Sequence, residues 1–90
     1  MKGSQEELKA KLVAARQEIE IGDKYYHFRD PSKLYLIVAV AIFEEDEEPI
    51  IIYKALYDEK ITWARKLSLF QDLKEDADGN LVPRFQKYLG

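Results

Sequence analysis

Seven side chains in this 90-residue sequence carry groups suited to chemistry or recognition: Tyr25, His27, Tyr53, Tyr57, Trp63, Arg65 and Arg84. Tyr53 and Tyr57 stand four apart, and Trp63 and Arg65 two apart. On strands, each pair shares a face. An aromatic face holding one arginine suits a planar or acidic ligand, through stacking, a cation–π contact and a forked guanidinium hydrogen bond. The plainer reading is that these large rings fill a small β core and leave their hydroxyls at its rim. Arg84 has the same two sides, because a forked arginine–carboxylate pair holds a chain end together as readily as it holds a ligand. His27 is the only histidine, and the serines are only Ser4, Ser32 and Ser68. Catalysis needs a base, a nucleophile and an orienting group together. A structural or partner-contact role is therefore expected of His27, with no catalytic residue.

Metal chemistry has little to build on. One histidine and no cysteine exclude most transition-metal sites, thiolate nucleophiles and disulfides. Asp76-x-Asp78-Gly79-Asn80 has half of a calcium loop without the closing glutamate, so an ordinary Asp-Gly turn is expected. The run from Glu44 to Glu48 reads as a solvated hairpin tip, where like charges repel one another and discourage edge pairing. No cofactor and no metal are expected.

The elements that must position these groups follow from periodicity. Residues 4 to 19 read as a helix: Ser4 and Glu7 have capping-box spacing, Leu8, Leu12, Ala15 and Ile19 form one stripe, and Gly22 stops it. Residues 24 to 29 read as a strand and Asp30-Pro31-Ser32 as a turn. The run Leu34 to Phe43 is a strand apolar on both faces, with Leu34, Leu36, Val38, Val40 and Ile42 on one side and Tyr35, Ile37, Ala39, Ala41 and Phe43 on the other. Such a strand is covered on both faces, and the helix is the expected lid over the second. Residues 50 to 57 return as a strand. A turn at 58 to 60 leads into a strand at 61 to 65, which sets Trp63 across from Ala55. Residues 67 to 75 fit a helical turn or a strand, and Leu81 to Tyr88 a last strand after the Asp78-Gly79 turn.

Helix plus about five antiparallel strands in so short a chain implies a mainly β (α+β) fold, a small partly open barrel with an added N-terminal helix. The helix, residues 1–21, packs on a β domain of residues 22–90. A composition of 47% hydrophobic residues supports folding rather than disorder. Net charge is −3 and pI about 5.2, which argues against duplex nucleic acid. The N-terminus lacks the apolar core of a signal peptide, and the longest apolar run is about half a membrane span. A soluble, cytoplasmic protein without membrane contact is expected.

An ordered set of short motifs adds to this. Gly22, Tyr25-x-His27, Tyr35, Ile52-Tyr53-Lys54-Ala55-Leu56-Tyr57, Trp63-x-Arg65, Phe70, Gly79 and Pro83-Arg84-Phe85 resemble a family of short bacterial proteins, domain of unknown function 1653. The resemblance covers roughly residues 20 to 86 and leaves the N-terminal helix outside. Two residues rather than one separate Gly22 from Tyr25, and Ile52, Ala64 and Lys66 replace the family's Val, Val and Pro. The resemblance implies a small SH3-like β fold and carries no activity with it.

The function expected from these features is a non-catalytic binding module using the face of Tyr53, Tyr57, Trp63 and Arg65, flanked by Tyr25, His27 and Arg84. Its ligand is a peptide, a nucleotide-like molecule, a short single strand of nucleic acid or another protein. The rivals are a small enzyme or enzyme accessory built on His27, and a structural protein that forms a homodimer through the stripe of the N-terminal helix.

Overall fold

The computed structural model describes residues 3–90. Helix α1 (Gln5–Glu18) is followed by strands β1 (Lys24–His27), β2 (Asp30–Ile42), β3 (Pro49–Ala55) and β4 (Thr62–Lys66). A single helical turn, α2 (Leu67–Phe70), then leads to β5 (Leu73–Glu75), β6 (Leu81–Pro83) and β7 (Phe85–Lys87). The main sheet is antiparallel in the order β4-β3-β2-β1-β7, and β5 and β6 form a separate two-stranded sheet.

This is a mainly β fold with an added helix, and the barrel stays open. Strands β4 and β7 end the sheet and do not pair with each other. Four strand spacings of about 4.8 Å separate them along a flat sheet. Yet the Arg65 guanidinium of β4 lies 5.7 Å from the centre of the Phe85 ring of β7. The sheet therefore curls until its two ends face each other across a shared aromatic core.

Helix α1 begins as its sequence requires, with the Ser4 hydroxyl accepting the Glu7 N–H at 3.1 Å. It ends at Ile19, and Gly22 takes the positive φ (95°) of the reversing chain while its N–H donates to the Ile37 carbonyl. Its place on the sheet differs from the sequence expectation. Ala15 and Ile19 are buried in one cluster with Ile37, Val40, Ile51 and Tyr53, so α1 covers part of the concave core face. The cause is a β-bulge in β2 between Ile37 and Ala39. It exchanges the two faces midway along the strand, so that Tyr35 and Ile37 join Val40 on the inside. The other face carries Leu36, Ala39, Ala41, Ile50 and Ile52, with Val38 exposed at the bulge. The stripe that a helix-mediated homodimer would use is thus packed within the chain at Ala15 and Ile19.

Residues 67 to 75 resolve into both alternatives, a helical turn and then a strand. The turn delivers Phe70 to the core, where it stacks on Phe85 with ring centres 4.4 Å apart and planes 2° from parallel. The expected last strand is two, broken at Arg84. The chain reverses at Phe28-Arg29 rather than at Asp30-Pro31-Ser32, which opens β2 with its own local bonds from Ser32 to the Asp30 carboxylate. The acidic 44–48 tip is clasped rather than merely solvated. Lys66 pairs with Asp46 and Glu48, the Gly3 N–H donates to the Glu47 carboxylate, and Lys11 donates to the Glu47 carbonyl.

Candidate functional site

The link from β3 to β4 is longer than a tight turn, with Asp58 and Lys60 at positive φ (48° and 54°). It shifts the register from the sequence expectation. Trp63 pairs with Tyr53 rather than Ala55, and Arg65 with Ile51. Directly paired residues share a face, so Trp63 and Arg65 project from the outermost strand toward the concave side. Trp63 differs in exposure from the tyrosines of the candidate set. Tyr53 is 4% exposed and Tyr25 7%, both within the core. Trp63 is 49% exposed.

Trp63 walls an open cavity of about 320 Å³, together with Tyr57, Asp58, Lys60 and Ile61. Ile61 beside it is also exposed. From this cavity a line of rings runs inward. The hydroxyls of Tyr57 and Tyr35 share a hydrogen bond, and the Tyr35 ring meets both Tyr53 (5.4 Å) and Phe85 (5.8 Å) edge-on. Burial, and then the bond to Tyr57, raises the Tyr35 phenol above its ordinary value.

Arg65 sits where that line ends. Its Nε donates to the Tyr53 hydroxyl at 3.4 Å and its guanidinium stands over Phe85. Among the described residues it forms no ion pair with a carboxylate. Arg84 is the opposite case. Its Nε and Nη2 donate to the two oxygens of Asp72 at 2.7 and 2.9 Å. Its backbone is held on both sides, with its N–H on the Asp72 carbonyl and its own carbonyl accepting from Phe28. The Arg84 guanidinium holds the Asp72 carboxyl below its ordinary range. Arg84 thus has the carboxylate that the sequence left open between a structural partner and a ligand.

His27 packs on Phe28 (4.8 Å) and edge-on to Phe85 (5.3 Å). Its Nδ1 accepts the Arg29 N–H at 3.2 Å, which places the ring proton on Nε2. Burial, then the positive charges of Arg84, Arg29 and Arg65, lowers its pKa, with Asp72 acting the other way. The imidazole thus has one nitrogen committed to the backbone and its ring packed against two aromatic side chains.

The fold therefore places Tyr57 and Trp63 at one cavity and Arg65 two residues along the same strand, held by the buried Tyr53 and by Phe85, while His27 also packs on Phe85 and Arg84 is bound to Asp72. Tyr25 lies apart, against Phe70 at the α1 side of the core. Sequence reasoning did not single out Phe85 as the common platform or Asp72 as the partner of Arg84. The Pro83-Arg84-Phe85 motif pointed at the first, and nothing local points at the second. A wider cavity of about 510 Å³ opens between Phe28-Arg29 and residues 75–78. There the Asp76 carboxylate is committed to the backbone N–H groups of Asp78 and Asn80, as in an ordinary Asp-Gly turn. Among the described residues no three His, Asp or Glu side chains stand together as metal ligands would, and no helix is long and apolar enough to cross a membrane.

An open, curled five-stranded sheet with an aromatic interior and an arginine at its rim defines the class: a small half-barrel β protein. The model of the family described as protein of unknown function (DUF1653) matches residues 23–87, and the chain belongs to that family. The crystal structure of a DUF1653 protein from Bordetella bronchiseptica superposes with a TM-score of 0.65 at 26% identity, over 82% of this chain and 91% of that one. The search of curated proteins found no match.

Proposed function

We propose that this protein is a non-catalytic binding module whose ligand lays an apolar or planar group against Trp63 and sets a carboxylate or similar anion on Arg65. One observation carries the reading: the Arg65 guanidinium is oriented by Tyr53 and Phe85, lacks a carboxylate of its own among the described residues, and stands two residues from a half-exposed tryptophan beside a cavity. A cation already held in place loses little further freedom when a ligand arrives. An aromatic platform next to it supplies contact area that a net charge of −3 does not oppose.

Trp63 is the only tryptophan, so its emission reports on the site directly. The test is a fluorescence titration with 4-phenylbutyrate, which joins an apolar ring to a carboxylate, and with neutral 4-phenylbutanol. Saturable quenching by the acid is expected, with the alcohol about tenfold weaker because it lacks the charge-assisted bond. Arg65→Gln should erase the difference between the two. Equal quenching of wild type and variant by both compounds would show that Arg65 plays no part.

A further inference from the structure

The hydrogen-bond parity of β4 says more about the ligand. The Ala55 N–H donates to the Ile61 carbonyl at 2.9 Å. In an antiparallel ladder the pairs that exchange hydrogen bonds alternate. The register then assigns the bonds between β3 and β4 to the pairs Tyr53–Trp63 and Ile51–Arg65. Thr62 and Ala64 consequently turn their N–H and C=O groups away from the sheet. They do so at its free end, where both residues are exposed and no further strand flanks β4. The same strand presents Trp63 and Arg65 side by side on the concave face.

Resting on the binding reading above, we infer that the ligand is an extended peptide that joins β4 as a sixth strand, with an acidic residue against Arg65 and an apolar residue two positions away against Trp63. Strand addition draws affinity from main-chain hydrogen bonds and specificity from alternate side chains. Both halves are present. The backbone groups of Thr62 and Ala64 are the donors and acceptors. Trp63 and Arg65 are the alternate side chains, at the two-residue spacing that an added strand reproduces. The cavity beside Trp63, walled by Tyr57 and Ile61, takes the apolar residue, and Arg65 takes the acidic one.

A second copy of the chain is a poorer occupant. Two β4 strands paired antiparallel about Ala64 set Arg65 opposite Trp63 and Thr62 opposite Lys66, which brings no carboxylate to either Arg65. The other sheet edge is a weaker template, since β7 has three residues and its Lys87 is tied to Asp23.

The test uses the full chain and a blocked seven-residue peptide of threonine and valine carrying one glutamate and, two positions later, one leucine. Hydrogen exchange followed by NMR should slow at the Thr62 and Ala64 amides by about tenfold or more when the peptide is bound, because those amides gain partners. The Trp63 and Arg65 amides, already bonded to β3, should change little. Ala64→Pro is the decisive variant: it removes an N–H that faces outward, so β3 pairing survives. That variant should lose the peptide and keep 4-phenylbutyrate. If it does not fold, the same peptide methylated on its backbone nitrogens should fail to bind wild type. Peptide binding that survives Ala64→Pro or N-methylation overturns strand addition and leaves the face reading standing. Strand addition is equally overturned if the protein takes 4-phenylbutyrate and ignores the peptide at millimolar concentration. Failure of both probes removes the face reading as well. Slowed exchange at Thr62 and Ala64 that grows with protein concentration and needs no peptide would make a second copy the occupant and overturn the peptide.

Discussion

Arg65 and Arg84 stand at the two ends of one curled sheet, near the same Phe85 ring, and they do different things. Arg84 has both oxygens of Asp72 and a backbone bonded on two sides. Arg65 has a phenol at 3.4 Å and the face of a ring. Forked pairing to a fixed carboxylate closes the β6–β7 corner, where the chain must change sheets within a single residue. The β4 end has no such closure: among the described residues its arginine has no carboxylate partner. Residue type alone does not separate an arginine bound to a carboxylate from one without. The partner does.

The largest expected effect lies on the fastened side. Arg84→Met strands the Asp72 carboxylate and should cost about 2 kcal/mol in urea denaturation, reduced from a fully buried pair because both side chains keep some solvent contact. A double-mutant cycle with Asp72→Asn should recover part of that loss. Full additivity would show that the two residues are not coupled and would erase the contrast with Arg65. Trp63→Ala comes next. A core tryptophan costs about 3–5 kcal/mol when truncated. A side chain half in water should cost about 1 kcal/mol, because less of its area leaves solvent on folding. A larger loss would put Trp63 in the core. Arg65→Gln should change stability by no more than about 0.5 kcal/mol, as surface substitutions do, while removing the preference for an acidic ligand. A loss equal to that of Arg84→Met would make Arg65 a second fastening.

The smallest effect is a slope. Burial and the Arg84, Arg29 and Arg65 charges hold His27 below its ordinary value of 6.5, so the unfolded chain takes up a proton at higher pH than the folded one. Stability from this group is complete above pH 6.5 and declines as pH falls through 6.5 toward the lowered folded value. Urea midpoints measured across that range should fall in wild type and flatten in His27→Gln. An unchanged slope in the variant would place the effect elsewhere.

Much of the architecture was legible. The Ser4 cap, the helical stripe, the long apolar β2 and the returning β3 all follow from local chemistry, and the motif set identified the family. The errors fall where one residue of register decides. An alternation read straight through β2 puts Val38 and Val40 on one face. The bulge leaves Val38 exposed and Val40 buried. A three-residue turn after Tyr57 puts Trp63 across from Ala55, and the longer link puts it across from Tyr53. Bulges and link conformations are settled by packing across strands, so a window of sequence does not contain them. The acidic tip was legible as charge but not as a clasp, because Lys66 is 20 residues away from Asp46 along the chain.

By itself, the sequence determined that this chain is a small β protein with a capped helix, rich in aromatic side chains, with one histidine, no cysteine and a net charge of −3. It also marked Trp63 and Arg65 as neighbours on one strand face, because two-residue periodicity is a property of the strand alone. The tertiary structure decided which tyrosines are core, which arginine has a carboxylate, and which backbone groups of β4 face outward. Those outcomes depend on the partner strand and its register. Partners such as Asp72 and Arg84, or Arg65 and Phe85, meet only when the sheet curls and brings distant stretches of chain to the same ring.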